Sequence, residues 1–141
     1  MRFWDSSAIV PLLVAEPTSA AMRELASDGS ELVVWWASLV ECASALAHRE
    51  RYGTIGPEEA SEASETLEEL SETWIEVPPR NALRDEARRL VRIHDLRTAD
   101  AFQLAAARAG SDGVPETLAL VTLDDRLAAA ARREGFPVLP S

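Results

Sequence analysis

The sequence has no lysine, one cysteine, two histidines and six glycines. It also lacks any uninterrupted apolar stretch of about 18 residues, the length a membrane-spanning helix needs. Each absence removes a class of chemistry. Without lysine there is no P-loop, which requires Gly-Lys-Ser/Thr, no kinase with its phosphate-pairing lysine and no Schiff-base enzyme. Phospho-aspartate receivers and aspartate-nucleophile phosphatases fall with them, because both set a lysine against the phosphoryl group. Gly-x-Ser-x-Gly, His-Glu-x-x-His and Gly-x-Gly-x-x-Gly are missing too, and the isolated His48 and His94 make a poor triad or zinc inventory. Cys42 is alone, so it forms no internal disulfide and suits a reducing compartment. No apolar leader follows Met1, and the expectation is a cytoplasmic protein with no signal peptide and no membrane span.

What is present in quantity is carboxylate. The 141 residues carry 24 acids against 14 basic residues, all Arg, for a net charge of -10, and 47% of residues are hydrophobic. A chain of this length buries roughly 68% of the surface its unfolded form exposes, enough for one domain over residues 1–141 without disulfides or structural zinc.

Periodicity alternates short apolar runs with longer helical patterns. Strands are expected at Arg2 to Trp4, Leu32 to Ala37, Trp74 to Val77, Leu118 to Thr122 and Phe136 to Leu139. The run from Leu32 to Ala37 is continuously apolar and includes Trp35 and Trp36, as in a strand covered on both faces. Helices are expected at Ala8 to Val14, with Pro11 tolerable only in the first turn, and at Ser19 to Ala26. A third runs from Ser38, where Ser38-x-x-Glu41 has capping-box spacing, to about Arg51. Others span Pro57 to about Glu72, Ala82 to Ile93, Ala99 to Ala109 behind a Thr98 cap, and Asp124 to near Glu134. Gly110 to Pro115 reads as a flexible loop. Alternating strands and helices predict an α/β fold with helices on both faces of a parallel sheet.

The isolated acids fall at telling places. Asp5 ends the first strand, Glu41 lies in the first turn after the second, Asp100 opens another helix, and Asp124 follows the fourth strand. Carboxyl ends of strands face a common crevice in such sheets, so topology draws Asp5, Glu41 and Asp124 together, with Asp100 able to join. Any one of these acids alone reads first as a helix cap or dipole partner, and only their joint pattern points to a site. Together, in a half-buried cleft, they would repel unless one held a proton or a divalent cation sat among them. Mg²⁺ or Mn²⁺ suits oxygen ligands and phosphoryl chemistry.

The residues Trp4-Asp5-Ser6-Ser7-Ala8, Ser38-x-x-Glu41, Thr98-Ala-Asp100-Ala101-x-x-Leu104-Ala-Ala-Ala and Val121-Thr122-Leu123-Asp124-x-Arg126-Leu127-x-x-Ala130 resemble a PIN domain. More narrowly they are similar to the VapC toxins of type II toxin–antitoxin systems. The resemblance implies a PIN-like three-layer α/β/α sandwich around a mostly parallel sheet of four to five strands. It also implies a Mg²⁺-dependent endoribonuclease, with Mn²⁺ as an alternative ion, acting on RNA and paired with a VapB-type antitoxin, and it favours a homodimer. On this resemblance Asp5, Asp100 and Asp124 match metal ligands, and Glu41 the acid that holds a metal water or acts as base. Ser6 and Thr122 match the hydroxyls that orient those carboxylates. A PIN nuclease of RNA processing outside any toxin pair, or a binding module whose acids only contact a cation or basic partner, are the alternatives at this point.

Several residues carry two readings. Trp35 and Trp36 read first as core and second as a base-stacking platform. Cys42 and His48 read as packing, and His94 as a surface or capping histidine rather than a phosphate contact. Arg97, just ahead of Asp100, is the basic residue best placed to touch substrate, or else pairs with a nearby acid. Pro57 to Glu76 holds eight Glu and no basic residue. That segment reads as a solvated face or, with Leu67 and Leu70, as a docking surface for the antitoxin. Setting aside those eight acids and the four clustered ones leaves twelve acids against fourteen Arg, six of which lie between Arg80 and Arg97. An acidic protein can thus still present an Arg-lined approach to RNA.

Overall fold

Side-chain alternation along the strands decides the architecture. In β1 (Arg2–Trp4), Phe3 points to one face of the sheet and Trp4 to the other. β2 (Leu32–Trp35) repeats this, with Val33 and Trp35 on the Phe3 side and Val34 on the Trp4 side. Both faces are apolar, so both must be covered, and helices cover them. The computed structural model describes residues 1–141 and contains β3 (Ile75–Val77), β4 (Leu120–Val121) and β5 (Val138–Leu139) in addition. All five strands are parallel, in the order β3-β2-β1-β4-β5. Phe3 stands beside Val33 on one side and Leu120 on the other, which fixes the central register.

Four helices cover the Trp4 face: α1 (Ser6–Leu13), α2 (Ser19–Ala26), α3 (Ser38–Arg51) and α4 (Pro57–Thr73). Ile9, Met22, Cys42, Leu46 and Leu67 bring their apolar stripes onto Trp4, Val34 and Val121. Three more cover the Phe3 face: α5 (Asn81–Ile93), α6 (Thr98–Gly110) and α7 (Asp125–Arg133). Here Leu90, Leu104 and Leu127 pack with Phe3, Val33 and Leu120. The result is the three-layer α/β/α sandwich with a parallel sheet, at the upper end of the expected strand number. No helix is long and apolar enough to cross a membrane.

The chain leaves β1 to build β2 and β3 on one side, then crosses back to build β4 and β5 on the other. That reversal opens a crevice at the carboxyl ends of β1 and β4, the place where open α/β sheets bind ligands. Asp5 and Asp124 follow those two strands.

Local expectations gave way at several points. α1 begins at Ser6, not Ala8, because Asp5 caps it by accepting from the Ser7 N–H. Pro11 therefore lies in the second turn, and the helix stops two residues later. β2 ends at Trp35 because the chain must turn there to start α3, and Trp36 projects into solvent at 55% exposure. Ser38 and Thr98 are not caps: Ala37 and Arg97 hold those positions, and neither makes a side-chain cap bond. Gly110 belongs to α6, where a Cβ would meet Val33, Val77 and Leu118 at 3.5–3.6 Å, ordinary van der Waals contact, so it ends the helix against the core and not in a free loop. All eight Glu between Pro57 and Glu76 are exposed, as a solvated face requires, but Leu67 and Leu70 pack into the core. Leu67 is buried and Leu70 half-buried.

His94 is the other departure. Its side chain is 6% exposed, and its Nε2 lies 2.8 Å from Glu134 Oε2. Glu134, itself 10% exposed, also pairs with Arg89 and with Arg108, the latter at 3.3 Å. Burial opposes its charge, but hydrogen bonds from Arg89 and His94 and the nearby guanidinium charges leave its carboxyl below the usual range. This cluster clamps the ends of α5 and α7 together just ahead of the turn into α6. Glu134→Ala should leave His94 Nε2 without a partner and Arg89 and Arg108 with Glu86 alone, and destabilise the fold by about 1–3 kcal/mol. Urea denaturation at neutral pH checks this; a loss under about 0.5 kcal/mol, the scatter of ordinary surface substitutions, would show that the cluster adds nothing.

Candidate active site

Asp5 leaves the end of β1 and is only 4% exposed, a costly place for a carboxylate. Three donors compensate, and all reach the same oxygen. Thr122 Oγ1 donates to Asp5 Oδ2 at 2.9 Å, the Ser7 hydroxyl donates to it, and the Ser7 N–H reaches it at 3.3 Å. The two hydroxyls are in turn held by the turn after β4. Leu123 N–H donates to Ser7 Oγ and Asp124 N–H to Thr122 Oγ1, each at 3.0 Å. Oδ1 of Asp5 carries no hydrogen bond and is left for the cleft.

That cleft, about 280 Å³ in volume, is lined by Asp5, Glu41, Asp100 and Asp124 together, with Ser6, Ser7, Arg49 and Gln103. The four acids picked out in the sequence thus meet at one site. Asp124 caps α7, its Oδ1 accepting from Leu127 N–H at 2.9 Å. Asp100 lies in the first turn of α6 and Glu41 in the first turn of α3, both half-buried. Glu41 accepts from Gln103 Nε2, which also donates to Ser38 Oγ at 3.1 Å.

Crowding shows in the acidities. Burial raises the Asp5 carboxyl, against the pull of the Ser7 and Thr122 hydrogen bonds, and the charge of Asp124 adds to the rise. Burial also raises Asp100, with the charges of Asp124 and Asp5, against a backbone hydrogen bond and the positive charge at Arg97. Glu41 is pushed up to about 7, first by burial and then by Asp5 and Asp100, with only the Gln103 bond opposing. The donors are all oxygens, and Asp5 keeps one unpaired, so the set fits a hard divalent cation. No three of them converge tightly enough to share an ion. Such an ion would sit on one or two carboxylates and water, the hydrated mode of Mg²⁺.

Three lining residues were not singled out from the sequence. Ser7 rather than Ser6 is the hydroxyl that holds Asp5; the two serines are indistinguishable until the first turn of α1 fixes which one folds back. Gln103 is a buried amide in an otherwise apolar stretch of α6, one turn beyond Asp100, and that position is a usable signal. Arg49 is the one basic residue lining the cleft, held by Glu16 at 2.8 Å. Arg97 is exposed and acts on Asp100 through its charge, without an ion pair.

A family model described as PIN domain matches residues 2–133. Among solved structures, PAE2754 from Pyrobaculum aerophilum superimposes with a TM-score of 0.64 at 24% identity, covering 92% of this chain and 83% of that one. FitAcB from Neisseria gonorrhoeae gives a TM-score of 0.67 at 15% identity, covering 98% of this chain and 96% of that one. At these identities the two structures speak for the fold alone. No curated protein matches the sequence.

Two outcomes follow from the geometry. Ser7→Ala strips a donor from Asp5 and an acceptor from Leu123 N–H, and should cost about 1–3 kcal/mol in urea denaturation. Ser6→Ala should cost under about 0.5 kcal/mol; equal losses would refute the assignment. Glu41 sets a pH dependence. Its folded value is above the ordinary 4.5, so the folded state keeps a proton that the unfolded chain releases. Stability is therefore full below the ordinary value and falls as pH rises toward about 7. In EDTA, Glu41→Gln should melt about 3–6 °C above wild type at pH 8, the shift of roughly 1 kcal/mol, and no higher at pH 4. Identical melting at pH 8 would contradict it.

Proposed function

The chain belongs to the PIN-domain family, whose members are nucleases, and from that membership we propose that it is the toxin of a VapC-type toxin–antitoxin pair: a Mg²⁺-dependent endoribonuclease. The observation that carries this reading is the meeting of Asp5, Glu41, Asp100 and Asp124 in one cleft at the sheet's switch point. Asp5, Asp100 and Asp124 are the candidate ligands, one or two of which would hold the ion directly and the rest through its waters; Mn²⁺ could replace it. When bound, it supplies an activated water and offsets charge on the phosphate under attack.

The chain's own groups do the rest. Asp5 presents Oδ1 in a fixed direction because Ser7 and Thr122 occupy Oδ2. Glu41, its carboxyl near 7, is suited to take a proton from the attacking water at physiological pH. Asp124 keeps its place through the α7 cap. By the family resemblance the products carry a 5′-phosphate and a 3′-hydroxyl. Arg80, Arg84, Arg92 and Arg97 are exposed and form no ion pair, which supports an approach for RNA over α5 and the start of α6. The protein acts as a single domain in the cytoplasm, as a homodimer held in check by a VapB-type antitoxin encoded next to it.

The test is cleavage of cellular RNA by purified protein with Mg²⁺ or Mn²⁺, with 5′-end sequencing of the fragments. Wild type should cut and arrest growth when expressed. Asp5→Asn and Asp100→Asn should lose at least about 100-fold in rate while keeping their circular dichroism. Mn²⁺ should raise the melting temperature of wild type and not of Asp5→Asn. A folded wild-type protein that cuts no RNA with either ion would overturn the reading.

A further inference from the structure

We infer that Gln103 is a positioning residue for Glu41: its side-chain amide, braced on the Ser38 hydroxyl, holds the Glu41 carboxylate at the wall of the acidic cleft. This rests on the reading of the cleft as a nuclease site.

Ser38 and Glu41 are three residues apart on α3 and share one face of the helix. A primary amide nitrogen has two hydrogens, and Gln103 spends one on each of these residues. Glu41 would not stay there unaided. Burial disfavours its charge, Asp5 and Asp100 repel it, and a first-turn glutamate can swing outward to water. The Gln103 amide is the one contact drawing it inward.

Stability does not explain the glutamine. It is 1% exposed on a helix whose neighbouring buried positions are Ala101, Leu104, Ala105, Ala106 and Ala107. Its Oε1 is buried and has no partner. An apolar residue of similar shape would leave no unpaired acceptor and would suit that stretch better. Shape is also specific: asparagine is one methylene shorter, and glutamate would set a carboxylate against a carboxylate. The retained amide is accounted for by what its nitrogen holds.

The experiment is a double-mutant cycle on RNA cleavage with Mg²⁺, using wild type, Gln103→Leu, Glu41→Gln and the double variant. Gln103→Leu should lower kcat about tenfold, within the range for residues that orient a catalytic group, and leave KM within about twofold. In the Glu41→Gln background the same change should have almost no further effect. A fall of equal size in both backgrounds, or no fall in either, would overturn the inference. If Gln103→Leu does not fold, Gln103→Asn carries the same cycle. A second readout needs no activity. Carbon-13 NMR of the Glu41 carboxyl in metal-free protein should show a titration midpoint near 7 in wild type that moves upward in the Gln103 variant. An unmoved midpoint overturns the inference; a moved one beside a wild type that cuts no RNA keeps it and removes the nuclease reading alone.

Discussion

Everything at the carboxyl rim depends on how one buried carboxylate is made tolerable. Asp5 sits between the end of β1 and the start of α1, where burial opposes its charge. Two hydroxyls resolve this, and each is polarised by a backbone N–H from the turn after β4. The chains of bonds from Leu123 through Ser7, and from Asp124 through Thr122, end on the same oxygen. They tie the two strands flanking the switch point to each other, begin α1 and seat Asp124. A constraint that looks purely structural also aims the free oxygen of Asp5 at the cleft.

The electrostatics follow the layers. The Glu-rich α4 covers one face of the sheet, whereas the Arg-rich α5 covers the other. The overall acidity therefore belongs largely to one outer surface and to the cleft. Within the cleft the charges of neighbouring acids make Asp5, Glu41 and Asp100 each harder to ionise, which is the condition a divalent cation relieves.

Where local rules failed, a tertiary demand outbid them. Ser38 has the spacing of a capping box, yet its hydroxyl accepts from Gln103 because α6 passes beside the start of α3. Trp36 continues an apolar run, yet the chain must turn there to bring Glu41 to the rim, and so the ring is left in water. Pro11 would be comfortable in a helix starting at Ala8, but the Asp5 cap moves the start back to Ser6. His94 reads as a surface residue until Glu134, forty residues later, closes over it.

The sequence by itself determined the order of strands and helices, the apolar alternation that puts a core on each face, and the identity of the four acids. All of that is written in periodicities of two and of 3.6 residues and in the ends of short segments. Only the tertiary structure decided that Ser7 holds Asp5, that Gln103 grips Glu41, that Arg49 borders the cleft and that Leu67 is core. The physical reason is distance along the chain. Thr122 is 117 residues from Asp5, and Gln103 is 62 from Glu41. No local pattern records which of two adjacent hydroxyls, or which amide on a distant helix, will satisfy a buried carboxylate until the sheet has brought them together.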